Sequence, residues 1–232
     1  MHYIRKAADR GHANFGWLDS FHSFSFGQYY DPKHMGFSVL RVINDDTVDP
    51  GYGFGAHGHD NMEIISYVTK GSIAHKDSLG NHFTIPAGDV QRMSAGTGIM
   101  HSEFNASDTQ ALKFLQIWIQ PNQRDLAPNY AQTTIVQTDV LTPLVTPTGA
   151  DQSLSIQADV SIHRLHLPAQ QSLVLSRESS RMTYLHIVEG SVLLDNEVFN
   201  EGDGIGVHQA QSIRLIAQDE LVALWFDLPA DN

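Results

Sequence analysis

No cysteine occurs among the 232 residues, which removes disulfides, thiolate zinc sites, iron–sulfur clusters and cysteine nucleophiles together. Positive charge is scarce as well: 14 Lys and Arg stand against 26 Asp and Glu, a net charge of −12. So acidic a chain offers no basic face to a nucleic-acid backbone, and direct nucleic-acid contact is not expected. No run approaches the ~18 uninterrupted apolar residues of a membrane-spanning helix. The stretch Met1-His2-Tyr3-Ile4-Arg5-Lys6-Ala7-Ala8-Asp9-Arg10 lacks the apolar core of a secretory leader. The expectation is a cytoplasmic protein with no membrane attachment. Helix signals are weak throughout, with Ala7 to Gly11 giving at most one short turn.

Short runs rich in Val, Ile, Phe and Tyr recur between clusters of Gly, Pro, Asn and Asp, among them Phe37 to Ile43, Ile64 to Val68, Leu112 to Ile119, Tyr184 to Val188 and Leu221 to Phe226. Each has the length of a strand, and turns come too often for long helices, so the pattern is all-β, a sandwich or barrel. Asp77-Ser78-Leu79-Gly80-Asn81 reads as a hairpin turn and Leu194-Asp195-Asn196-Glu197 as a tighter one. A proline-bearing stretch from Pro121 to Gln152 separates two halves, predicting one domain over 1–134 and another over 135–232. The halves resemble each other. Tyr67-Val68-Thr69-Lys70-Gly71-Ser72-Ile73 lies over His186-Ile187-Val188-Glu189-Gly190-Ser191-Val192, and Ala87-Gly88-Asp89 over Glu201-Gly202-Asp203, which predicts an internal duplication.

Histidine is plentiful: thirteen in all, and most of them precede residue 102. Within Gly55-Ala56-His57-Gly58-His59-Asp60-Asn61-Met62-Glu63, His57 and His59 stand two apart. On a strand, side chains at that spacing leave one face, so both imidazoles can reach one ion. His101-Ser102-Glu103 repeats the arrangement with a carboxylate as partner. Facing one another, the two pairs make a site of three nitrogens and one oxygen, suited to Fe(II), Mn(II), Ni(II), Co(II) or Zn(II).

The punctuation around these pairs resembles the cupin motifs. Gly51, His57, His59 and Glu63 follow G-x5-H-x-H-x3-E, and Gly80, Pro86 and Gly88 follow G-x5-P-x-G. The histidine usual at position 91 is replaced by Gln91, and His101-Ser102-Glu103 comes later instead. That departure is similar to the pirins, as are His22-Ser23-Phe24-Ser25-Phe26, Arg41-Val42-Ile43-Asn44-Asp45-Asp46 and Met93-Ser94-Ala95-Gly96-Thr97-Gly98-Ile99-Met100-His101-Ser102-Glu103. The resemblance is dense over residues 1–120 and thin beyond. It implies a bicupin, two face-to-face jelly-roll barrels, with one divalent metal held by His57, His59, His101 and Glu103. Fe(II) is the first expectation, with Zn, Ni, Mn, Co and Cu as alternatives. It leaves Glu63 outside the ligand set, placed to orient His57 or His59.

In the second half, the positions equivalent to the four ligands are Ser176, Glu178, Leu215 and Ala217, which predicts a barrel without metal. His163, His166, His186 and His208 read as surface or satisfied core residues. By the same resemblance the activity is a quercetin 2,3-dioxygenase one. The flavonol 3-hydroxyl is deprotonated with Glu103 as base, O2 adds across the heterocycle, and ring opening gives a depside and carbon monoxide. Aromatic residues near the motif (Trp17, Phe24, Phe26, Tyr52 and Phe54) are candidate walls for a flat polyphenol. The competing readings are a metal-bound, redox-responsive regulator with a protein partner and, more remotely, a sugar isomerase.

Overall fold

A computed structural model describes residues 2–176, 180–208 and 212–230. Among these residues the fold is all-β, with twenty-two strands and two single 3-10 turns, Ala7–Asp9 and Ala150–Gln152. No helix among the described residues is long and apolar enough to cross a membrane. Two compact units emerge. One comprises Gly11–Ile135 with Ile156–Ala158, the other Met1–Arg10, Val136–Ser155 and Asp159–Asn232. Two pieces thus cross the 134/135 division read from the sequence. The N-terminal strand His2–Arg5 pairs with Gly204–Val207 in the unit built by the C-terminal half.

The unit that starts at Gly11 stacks two sheets. The larger runs, in spatial order, Asn129–Thr134, Asp89–Ser94, Glu63–Lys70, Leu112–Ile119, Leu40–Val48, Leu18–His22 and Gly11–Asn14. The smaller runs Gly53–His59, Ile99–Asn105, Ser72–Asp77 and His82–Pro86. Leu18, Val48, Val68, Leu112 and Phe114 from the first pack with Ile73 and Ile85 from the second, giving the interleaved inner faces of a closed β-sandwich.

The other unit repeats this plan. Its central strands order Gly204–Val207, Arg181–Glu189, Leu221–Pro229, Ser161–Leu167, and its small sheet orders Ser172–Ser176, Ser212–Ala217, Ser191–Leu194, Glu197–Asn200. Matching turns mark the duplication: Gly88 N–H donates to Val68 O (3.2 Å) and Gly202 N–H to Ile187 O (2.9 Å). Each of these glycines has a φ that side chains disfavour, +90° and +83°. Asp195 and Asn196 both have positive φ and link Leu194 to its register partner Glu197, a two-residue I′ turn.

One glycine bears directly on the strand that carries His101. Gly96 has φ +49°, and a methyl group there would collide with the Leu126 carbonyl oxygen, which also accepts from Thr97 N at 2.8 Å. Gly96→Ala combines a left-handed backbone with a backbone clash, so denaturant titration is expected to show a loss of about 2 kcal/mol.

Candidate metal centre

The small sheet of the Gly11–Ile135 unit presents the histidines. His101 is the direct cross-strand partner of His57, and Ile99 of His59. Between His101 and Glu103 the register slips, so that Glu103 faces Phe54 instead of Gly55. This bulge re-aims the strand beside the site. On the other flank His101 pairs with Asp77 and Glu103 with His75, so alternation turns all six polar side chains to the inner face.

Three imidazoles meet. One ring nitrogen from each of His57, His59 and His101 lies within 4.8 Å of the other two. The ring centroids are 4.4 Å apart for His57–His101, 4.8 Å for His57–His59 and 4.9 Å for His59–His101. His57 Nε2 and His101 Nε2 are 3.0 Å apart, and His57 Nδ1 donates to Gly55 O at 2.8 Å. That bond fixes the tautomer and leaves the Nε2 lone pair pointing into the cluster, the usual outer support of a metal-ligating histidine. Burial, then the neighbouring imidazoles, lower the pKa of His59 to about 4 and that of His101 to about 3. Both rings stay neutral near pH 7, with lone pairs available to a cation. The donor set fits a borderline divalent ion.

Glu103 falls in an overlapping group, with His101 and His75. Its Oε1 accepts from Ser66 Oγ (3.2 Å) and its Oε2 from Gln116 Nε2 (2.9 Å), both from the opposite sheet. His75 was not singled out from the sequence. It is 2 % exposed and its Nε2 sits 3.1 Å from Asp77 Oδ2. The signal was present in His75-Lys76-Asp77, a third i, i+2 pair. Gln91 is fully buried, and its amide oxygen and nitrogen have no hydrogen-bond partner. It pairs with Ser66 and so shares that inner face.

Glu63 belongs to neither group, in line with its expected place outside the ligand set, but the supporting role expected for it at His57 falls to the Gly55 carbonyl, which takes His57 Nδ1. Ser66, three residues on, points inward to Glu103, so alternation turns Glu63 to the outer face. There its Oε2 accepts from Ser94 Oγ (2.8 Å) and from Gln157 N (3.4 Å), and burial raises its pKa.

The cluster opens on a cavity of about 750 Å³ lined by Phe15, Phe26, Tyr29, Phe54 and Trp118, together with Ser20, His22, Asn44, Asp46 and Gln116. Trp118 stands edge-on to His59 with centroids 5.0 Å apart. Of the aromatic residues expected as walls, Phe26 and Phe54 take that place. Trp17 and Tyr52 stack on each other, with Trp17 edge-on to Phe54, and Phe24, in the bend after the Leu18–His22 strand, is fully buried core. Among the described residues no lysine or arginine lines the cavity.

Asp46 is the second carboxyl on this wall. Burial pushes its pKa up to about 7, with Ser20 opposing and Asp45 and Glu103 adding. Unfolded, the group ionises near the usual 3.9, so folding binds a proton between about pH 4 and 7 and Asp46 costs stability progressively as pH rises through that window. Asp46→Asn, which keeps an acceptor for Ser20, is expected to raise the melting temperature of the metal-free protein by about 5 °C at pH 8, with the difference vanishing by pH 4. His59 and His101 work in the opposite sense: the unfolded rings protonate first, so their burial removes stability as pH falls below about 6.5.

In the second unit, Leu215 and Ala217 lie in the apolar core, Ser176 lines a small polar cavity with His163 and Arg181, and Glu178 falls outside the described residues. His166 pairs with Glu220 at 2.9 Å. His163 departs from the satisfied state expected of it, since its Nδ1 is buried without a partner.

Comparison with known proteins agrees with this arrangement. Residues 4–119 match the Pirin family model and residues 143–228 the quercetinase C-terminal cupin domain. The chain is 43% identical over 229 residues to a quercetin 2,3-dioxygenase of Escherichia coli, covering 99% of each. It is 39% identical to a putative quercetin 2,3-dioxygenase of Pseudomonas aeruginosa, over 93% of this chain and 95% of the relative. The crystal structure of the Escherichia coli bacterial pirin YhhW in complex with nickel(II) superimposes with a TM-score of 0.96 at 43% identity, covering 100% of both chains. With two cupin units of one topology and three histidines gathered in the first, this chain belongs to the pirin family.

Proposed function

We propose that this protein is a metal-dependent quercetin 2,3-dioxygenase, cleaving a flavonol with O2 to a depside and carbon monoxide. The observation that carries the reading is the cluster of three imidazoles at the wall of an aromatic cavity that, among the described residues, no lysine or arginine lines. Such a space suits a flat, uncharged, hydroxylated ring system and disfavours a phosphate or carboxylate substrate.

His57, His59 and His101 hold the ion, and Glu103 completes the set from beside His101. A divalent first-row ion there supplies Lewis acidity to the oxygen edge of the flavonol; Fe(II) is our assignment. Ser66 and Gln116 hold the Glu103 carboxylate while one of its oxygens accepts the proton of the 3-hydroxyl, within hydrogen-bond reach of that edge. Phe26, Phe54 and Trp118 stack on the rings and exclude water, fixing the heterocycle for attack by O2.

The test loads purified protein separately with Fe(II), Ni(II), Mn(II) and Co(II) and follows flavonol absorbance, O2 uptake and carbon monoxide together. Stoichiometric loss of flavonol and O2 with release of carbon monoxide is expected with at least one ion. Absence of turnover with all four contradicts the reading.

A further inference from the structure

Ser20, His22, Asn44 and Asp46 form a part of the cavity wall that proton transfer and ion binding leave unused. Ser20 pairs in register with Asp46 and His22 with Asn44 on adjacent strands, so the four side chains share one face, and all four line the cavity. Each is at most 5 % exposed. They are joined to one another: Ser20 Oγ donates to Asp46 Oδ1, and His22 Nδ1 lies 2.8 Å from Asn44 Oδ1. Four buried polar groups on the wall of a binding cavity are unfavourable for a purely apolar ligand, because polar atoms lose water and gain nothing. With no lysine or arginine among the described residues that line the cavity, they do not fit an anionic ligand either. What they fit is a neutral hydroxyl, which can donate to a carboxylate or accept from a carboxylic acid.

We propose that Asp46, set by Ser20 and flanked by Asn44, is the specificity-determining contact for a phenolic hydroxyl of the substrate other than the 3-hydroxyl that Glu103 takes. The inference rests on the flavonol reading above and names the part of the substrate that the polar wall selects. Asp46 is the member of the quartet with most to offer: His22 and Asn44 engage each other, and Ser20 is committed to Asp46. Its raised pKa, caused first by burial, keeps both donor and acceptor forms available near neutrality. A site built to bond a hydroxyl rejects the analogue that lacks it, because its own polar groups then stay unpaired.

The test compares quercetin with 3-hydroxyflavone, which keeps the metal-facing edge and lacks the other ring hydroxyls, in the wild type, Asp46→Asn and Asp46→Leu. Two ratios are read: kcat/KM in the metal-loaded enzyme, and the dissociation constant in metal-free protein from tryptophan quenching. The wild type is expected to favour quercetin by at least about tenfold in both, Asp46→Asn to retain most of that preference, and Asp46→Leu to reduce it to within about threefold. An unchanged ratio in Asp46→Leu overturns the proposal. Should that variant fail to fold, Ser20→Ala, which unseats Asp46, is read the same way, and a ratio equal to the wild type's overturns it. If no flavonol is turned over, the oxygenase reading fails while the metal-free binding ratio still decides the role of Asp46. If turnover proceeds with no change of ratio, the reverse holds.

Discussion

His101→Ala is expected to abolish retention of a divalent ion and, with it, all flavonol turnover. His101 is the residue common to both donor groups, paired across the sheet with His57 on one side and Asp77 on the other. Its removal leaves two half-exposed histidines that share one short strand, and calorimetric affinity is expected to fall by roughly 10³-fold. The variant itself should fold. The truncated ring is buried, but the neighbouring imidazoles disfavour its charged form, so its loss also removes repulsion at low pH. The thermal signature separates the two effects. In the wild type, an ion at a thousand times its dissociation constant stabilises by about 4 kcal/mol and raises the melting temperature by roughly 10 °C. In His101→Ala the same addition should move it by only about 1 °C.

Glu103→Gln is expected to separate ion binding from chemistry. The new amide keeps the shape of the carboxyl and an oxygen to accept from Gln116, while Ser66 Oγ can turn from donor to acceptor at the other position. Three imidazoles remain, so the ion affinity should fall only about tenfold. The proton acceptor is gone, however, and kcat at saturating ion should fall by roughly 10²–10⁴-fold. If kcat is retained while affinity collapses, Glu103 is a ligand and not the base. If both are retained, it is neither.

Local periodicity made part of this molecule readable. Two residues apart on a strand means one face, so His57 with His59 and His101 with Glu103 announced themselves without any tertiary information. The I′ turn at Asp195-Asn196 and the positive-φ positions at Gly71, Gly88, Gly190 and Gly202 are likewise local necessities, and they carried the duplication. What stayed hidden depends on which face of a strand turns inward and on pairing between distant segments. Asp46 lies in a run, Asn44-Asp45-Asp46, in which nothing local marks the middle residue as the outward one. Glu63 falls at the carboxylate place of the motif, yet alternation from Ser66 turns it to the outer face. The bulge beside Glu103 arises from pairing between the Gly53–His59 and Ile99–Asn105 strands, and no single segment encodes it. The alliance of His2–Arg5 with Gly204–Val207 spans almost the whole chain and has no signature in either segment alone.

The most direct measurement is anomalous scattering from crystals of the protein incubated with Fe(II) or Ni(II), recorded at the absorption edge of the added metal. The account expects one peak in the Gly11–Ile135 unit, at about 2.0–2.2 Å from ring nitrogens of His57, His59 and His101 and from a carboxylate oxygen of Glu103. A peak held by His75, His101 and Glu103 without His57 and His59, or no peak at that cluster in fully loaded crystals, would contradict it.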